Sequence, residues 1–114
     1  MPNPLLVKLV GNSFRTDGRQ LLPLLPEGQP LALEPEPSNP YDSDAVMVMV
    51  DVSSPEWHVQ GFGGTVHLGY VPRSRGNNIG TLQVLNILND PAIDYKAELT
   101  FDLRGEPLVR ITTL

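Results

Sequence analysis

Asn39-Pro40-Tyr41-Asp42-Ser43-Asp44-Ala45-Val46-Met47-Val48-Met49-Val50 is a stiff polar turn that runs without a break into an apolar strand. The second half, Ala45 to Val50, is continuously apolar and rich in β-branched residues, the pattern of a central strand covered on both faces. The first half presets its own geometry. Pro40 favours a turn and pushes Asn39 toward an extended conformation. Asp42 can accept hydrogen bonds from backbone N–H groups two residues on. A turn of this kind feeding a central strand predicts that Tyr41 and Asp42 are held at its tip.

Shorter elements surround that strand. Leu5 to Val10 is a mostly apolar run broken by Gly11-Asn12-Ser13, and Val66 to Val71 ends at Pro72. Leu31 to Leu33 leads into a loop from Glu34 to Asn39. Leu21 to Leu25, interrupted by Pro23, is expected to be an edge strand or an extended connection. Ile93 to Leu103 and Pro107 to Thr112 flank a turn at Arg104-Gly105-Glu106. One helix is expected to start at Asn77 or Asn78, either of which can cap it, and to stop at Asn89-Asp90-Pro91. Its apolar positions Ile79, Leu82, Leu85 and Leu88 recur at three-residue spacing, widened by Val84 and Ile87. Ser53 to Gly64 reads as a long loop carrying Trp57, His58 and Phe62, either a lid over a barrel end or an exposed contact patch. With 12 prolines and 10 glycines in 114 residues, the elements must be short. About six short strands and one helix lose their exposed edges most simply by closing, or nearly closing, into a small barrel with the helix over one end.

Composition narrows the function classes. A hydrophobic content of 40% and a charged content of 18% describe a chain that folds, as a single domain over residues 1–114. The absence of cysteine excludes disulfides, a thiol nucleophile and cysteine zinc sites, and fits a cytoplasmic location. No apolar run approaches the roughly 20 residues of a membrane helix, so no membrane association is expected. The start, Met1-Pro2-Asn3-Pro4, lacks the basic and apolar regions of a signal peptide. The net charge of −5 counts against strong nonspecific DNA binding. Its distribution is uneven: residues 20–72 hold seven acids and no Lys or Arg. Any cationic surface must therefore come from the first strand and from Arg73 and Arg75.

No catalytic set emerges, and no cofactor is expected. His58 and His67 lack the companions a zinc site needs. Gly61-Phe62-Gly63-Gly64 has neither the lysine nor the following helix of a phosphate loop. Asp42 and Asp44 share a face and could bind magnesium, but solvated turn carboxylates are far commoner. The binding candidates are more coherent. Tyr41 either half-buries against its turn or stacks on a base, while Asp42 accepts from a hydroxyl; a carboxylate there would repel an added phosphate. Phe14, beside Arg15, either anchors its loop or forms a second stacking platform. Arg73, directly after Pro72, is a cation that cannot easily hide. Phe101 reads as core.

The run Asn39-Pro40-Tyr41-Asp42-Ser43-Asp44-Ala45-Val46, followed by Leu68-Gly69-Tyr70-Val71-Pro72-Arg73, resembles the HIRAN domain. That domain is found in helicase-like transcription factor and related SWI/SNF-type ATPases, and as a standalone bacterial or phage protein. The resemblance covers roughly residues 5–112. It implies a fold that is mainly β with one or two short helices, a small OB-like β-barrel of about six strands. It implies a non-enzymatic module that captures the 3′-hydroxyl end of single-stranded DNA in repair or replication, with any helicase or ATPase motor a separate protein. By position it implies that Asn39, Tyr41 and Asp42 line the end-binding pocket, Tyr41 stacking on the terminal base and Asp42 taking the 3′-hydroxyl. Phe14 falls on a base-sandwiching aromatic, Arg73 on a phosphate-binding lysine and Phe101 on a further aromatic. The alternative is a protein-interaction module using the acidic face and the Trp57/Phe62 loop.

Overall fold

The computed structural model describes residues 4–11, 16–74 and 80–114. Six strands form one antiparallel sheet: β1 (Leu5–Lys8), β2 (Pro30–Pro35), β3 (Val46–Asp51), β4 (Thr65–Tyr70), β5 (Tyr95–Phe101) and β6 (Pro107–Thr113). Their spatial order is β1-β6-β5-β2-β3-β4. The sheet curls until its two outer strands meet. Val10 N–H donates to Tyr70 O at 2.9 Å and Tyr70 N–H returns the bond to Val10 O at 2.8 Å. The result is the nearly closed OB-like barrel expected from the short strands, with the edges removed at that meeting point.

Alternation fills the interior. Val7, Val109 and Leu99 lie level across β1, β6 and β5, and Leu33 faces Val48 across β2 and β3; all are buried. Val46, Val48 and Val50 of β3 are buried, while Met47 and Met49 on the opposite face are only half covered. The central strand is therefore one-sided in its deepest burial. On β4 the register slips between the partners of Val48 and Met49, so that Leu68 is an extra residue and is fully buried. A bulge of this kind bends and twists the strand, which helps the sheet close.

The helical content is richer than one helix. Residues 16–24, expected to be in part an edge strand or extended connection, form α1 (Thr16–Leu21) and a following 3-10 turn (Leu22–Leu24). Leu21, Leu22 and Leu25 are all buried. Their spacing is helical (i, i+1, i+4), and Pro23 sits in the first turn, where its missing N–H costs nothing. Gly18 lets α1 press on β4: a Cβ there would lie 2.7 Å from His67 O. The segment read as a long loop contains α2 (Pro55–Val59).

The third helix, α3, spans Thr81–Leu88 and is preceded by Gly80. Asn77 and Asn78, expected to cap it, lie outside the described residues. Because the helix starts at Thr81, its inward face runs through Thr81, Val84, Leu85 and Leu88. Leu82, expected on that face, points to solvent instead. No helix among the described residues is long and apolar enough to cross a membrane.

Candidate functional site

The turn between β2 and β3 is built by Asn39. Its side-chain Oδ1 accepts the N–H groups of Tyr41 at 2.9 Å and Asp42 at 3.0 Å. Its Nδ2 donates to Glu36 Oε1 at 2.7 Å, and Tyr70 OH donates to the same oxygen at 2.8 Å. Tyr70 thus ties the base of the turn to β4, and the His67 and Tyr70 rings meet edge to face with centroids 4.8 Å apart. Asp42 Oδ1 in turn accepts the Asp44 N–H at 2.9 Å, the Asx turn expected of an aspartate here.

Arg73 reaches this turn from the chain that leaves β4. Its Nε lies 3.4 Å from Asp42 Oδ2, and its terminal nitrogen donates to the Tyr41 carbonyl. The Asp42 carboxylate is therefore fixed from both sides, by a backbone N–H on one oxygen and a guanidinium on the other. The Tyr41 backbone is held while its ring is left 86% exposed. An exposed tyrosine on a braced backbone loses little freedom when a flat partner stacks on it.

The same chain segment seats α3. Pro72 O accepts the Thr81 N–H at 3.0 Å, and Ser74 Oγ accepts the Leu82 N–H at 3.2 Å while donating to Gln83 Oε1 at 2.6 Å. Gln83 Oε1 also accepts the Gly80 N–H at 3.2 Å. Ser74 does the work of a cap from a remote position in sequence. Between the turn and this helix start lies a cleft of about 340 Å3, lined by Tyr41, Asp42, Ser43, Asp44, Arg73, Ser74, Thr81 and Leu82.

The fold thus brings Asn39, Tyr41, Asp42 and Arg73 together. Phe101 is half-buried against the core at the end of β5 and does not line the cleft. Phe14 lies outside the described residues, as do Arg15 and Arg75. Sequence reasoning missed Glu36 and Tyr70 beneath the turn and Ser74, Thr81 and Leu82 in the cleft. Tyr70 sat in the quoted Gly69-Tyr70-Val71-Pro72-Arg73 run. The α3 residues carried no signal, because their place depends on where the helix begins.

Two other expectations meet the geometry. The Asp42 oxygens bond to Asp44 N–H and Arg73, and among the described residues no group of three or more His, Asp or Glu is placed to hold a metal. Trp57 and Phe62 meet edge to face, with centroids 6.3 Å apart at 80°, and pack half-buried against the core. Neither ring forms an exposed aromatic patch.

Comparison with known proteins follows the same lines. The HIRAN domain family matches residues 5–88; β5 and β6, beyond the matched span, complete the sheet. A crystal structure of a Lactobacillus plantarum protein from a structural genomics programme superposes with a TM-score of 0.57. It is 22% identical, with 96% of this chain and 90% of that one covered, which speaks for a shared fold. No curated protein matches the sequence.

Proposed function

The chain belongs to the HIRAN domain family, a family of nucleic-acid-binding domains, and on that footing we propose that it binds single-stranded DNA by its free 3′-hydroxyl end, without catalysis. The observation that carries this reading is an exposed Tyr41 ring beside a carboxylate immobilised by Asp44 N–H and Arg73. The ring offers a stacking face to the terminal base. The carboxylate offers an acceptor to the terminal hydroxyl and repels a phosphate in its place.

Asn39 supports both through the turn. Arg73 takes a positioning part beside the phosphate contact expected of it. Its guanidinium is turned toward Asp42, so it positions the acceptor first and meets backbone phosphate only with its remaining donors. Phe101 belongs to the core in this reading, and Phe14 remains a proposed second stacking face. Residues 1–114 act as one HIRAN-like domain in the cytoplasm, and a separate helicase or ATPase is the kind of partner that would use a captured end. The protein-docking alternative loses support because Trp57 and Phe62 turn inward.

The test is fluorescence anisotropy with a short labelled oligonucleotide carrying either a 3′-hydroxyl or a 3′-phosphate. The free end should bind and the blocked end should not. The salt dependence should be shallow, since few phosphates are neutralised. Equal binding of the two ends would refute end capture.

A further inference from the structure

Of the residues that line the cleft, Tyr41, Ser43 and Asp44 are exposed to water, whereas Thr81 is buried. Thr81 is only 3% exposed, yet among the described residues its hydroxyl makes no hydrogen bond. No side-chain oxygen or nitrogen of the described residues is both fully buried and unpartnered. The Thr81 oxygen therefore keeps a little accessible surface, on a residue that lines the cleft. The neighbouring Ser74 hydroxyl differs, since it already donates to Gln83 and accepts from Leu82. Valine would fill the same space as Thr81 without a polar atom, so the nearly buried hydroxyl is a group with a hydrogen bond still to make.

The rest of the cleft states what that ligand is. Its charged lining is Asp42, Asp44 and Arg73, with Arg73 already facing Asp42. A site with one more carboxylate than cation favours hydrogen-bond donors over phosphate. At about 340 Å3 it stands at the small end of ligand sites, the size of one terminal residue rather than a stretch of strand. Tyr41 and Leu82, exposed on either side, are its apolar walls.

We propose that Thr81 is a second hydrogen-bonding contact to the terminal sugar, made to a 2′-hydroxyl while Asp42 takes the 3′-hydroxyl, so that the cleft prefers a strand ending in a ribonucleotide. The proposal rests on the end-binding reading above. The 2′-hydroxyl both donates and accepts, as a threonine hydroxyl does, and it is the group that separates RNA from DNA.

The experiment compares four labelled strands of one sequence. Their last residue is a deoxynucleotide, a ribonucleotide, a 2′-O-methyl ribonucleotide or a 3′-phosphorylated deoxynucleotide. The ribo end should bind about three- to tenfold tighter than the deoxy end, the worth of one net hydrogen bond. The 2′-O-methyl end should lose that gain. In Thr81→Val the two free ends should bind alike, and Thr81→Ser should keep the preference. Equal binding of ribo and deoxy ends by the unaltered protein overturns the inference and leaves end capture standing. So does a preference that survives in Thr81→Val. If the 3′-phosphate binds as well as either free end, end capture fails and the inference fails with it. Should Thr81→Val not fold, the 2′-O-methyl comparison and Thr81→Ser decide the matter.

Discussion

Arg73 Nε lies 3.4 Å from Asp42 Oδ2, and the same guanidinium donates to the carbonyl of Tyr41. One side chain therefore fixes both the Asp42 carboxylate and the backbone of Tyr41. Because Arg73 is 53% exposed, the pair is a surface ion pair and is worth at most about 1 kcal/mol of stability. Its importance is positional. Arg73→Ala should shift the denaturant midpoint little while weakening oligonucleotide binding about tenfold, the loss of one charge-assisted hydrogen bond at the site. Arg73→Lys should rescue only part of the loss, because an ammonium lacks the guanidinium fork that spans two acceptors. Isothermal titration beside urea unfolding separates the two effects.

Tyr41→Ala gives the complementary result. The ring is exposed, so folding stability should change by less than about 0.5 kcal/mol. Binding of a free-ended strand should weaken by about 1–3 kcal/mol, the worth of one stacked base. Tyr41→Phe should retain most of the affinity. Anisotropy titration of the three proteins checks the order.

Gly80→Ala tests how α3 is seated. A Cβ at this position would stand 2.4 Å from Pro72 O, 2.5 Å from Ser74 N and 2.6 Å from the Arg73 carbonyl carbon. All three are backbone atoms that cannot swing aside. The substitution should cost about 1–3 kcal/mol and separate the helix start from the segment that carries Arg73. Thermal unfolding followed by circular dichroism reads the cost, and the binding assay reads the damage to the cleft.

Acid stability has an identifiable contributor away from the cleft. Hydrogen bonds from Ser53, chiefly from its hydroxyl and then from its backbone N–H, hold the Asp51 carboxyl below its usual value. The folded state thus favours the ionised form. That contribution is fully present above the unfolded value of about 3.9 and disappears as pH falls through the lower folded value. Asp51→Asn should flatten the acid end of a plot of urea midpoint against pH and leave the neutral region nearly parallel to that of the parent protein.

The strands were legible where alternation or a continuous apolar run met a clear turn. Val46 to Val50, the hairpin around Arg104-Gly105-Glu106 and the breaks at Gly11 and Pro72 all announce themselves. Leu21 to Leu25 misled because a proline within a short leucine run fits an edge strand as well as the first turn of a helix. Only packing against the barrel distinguishes them. Leu82 misled for a related reason: three-residue spacing marks a helix face, but the inward direction is set by where the helix begins. At the candidate site, Asn39, Tyr41, Asp42 and Arg73 were legible because proline and asparagine carry local geometry. The Arg73–Asp42 contact and the free Thr81 hydroxyl were not, since both arise from segments that meet only after the sheet has curled.

Among the described residues, Val10 and Tyr70 stitch the barrel shut at a single pair, and the Tyr70 phenol also braces Glu36 under the turn. A hoop fastened at one point loosens there first. Any tug on the strand that leads to Val10 is thus relayed to the floor of the Asn39 loop. Fusing a neighbour in front of β1 would be felt at the cleft beside Tyr41.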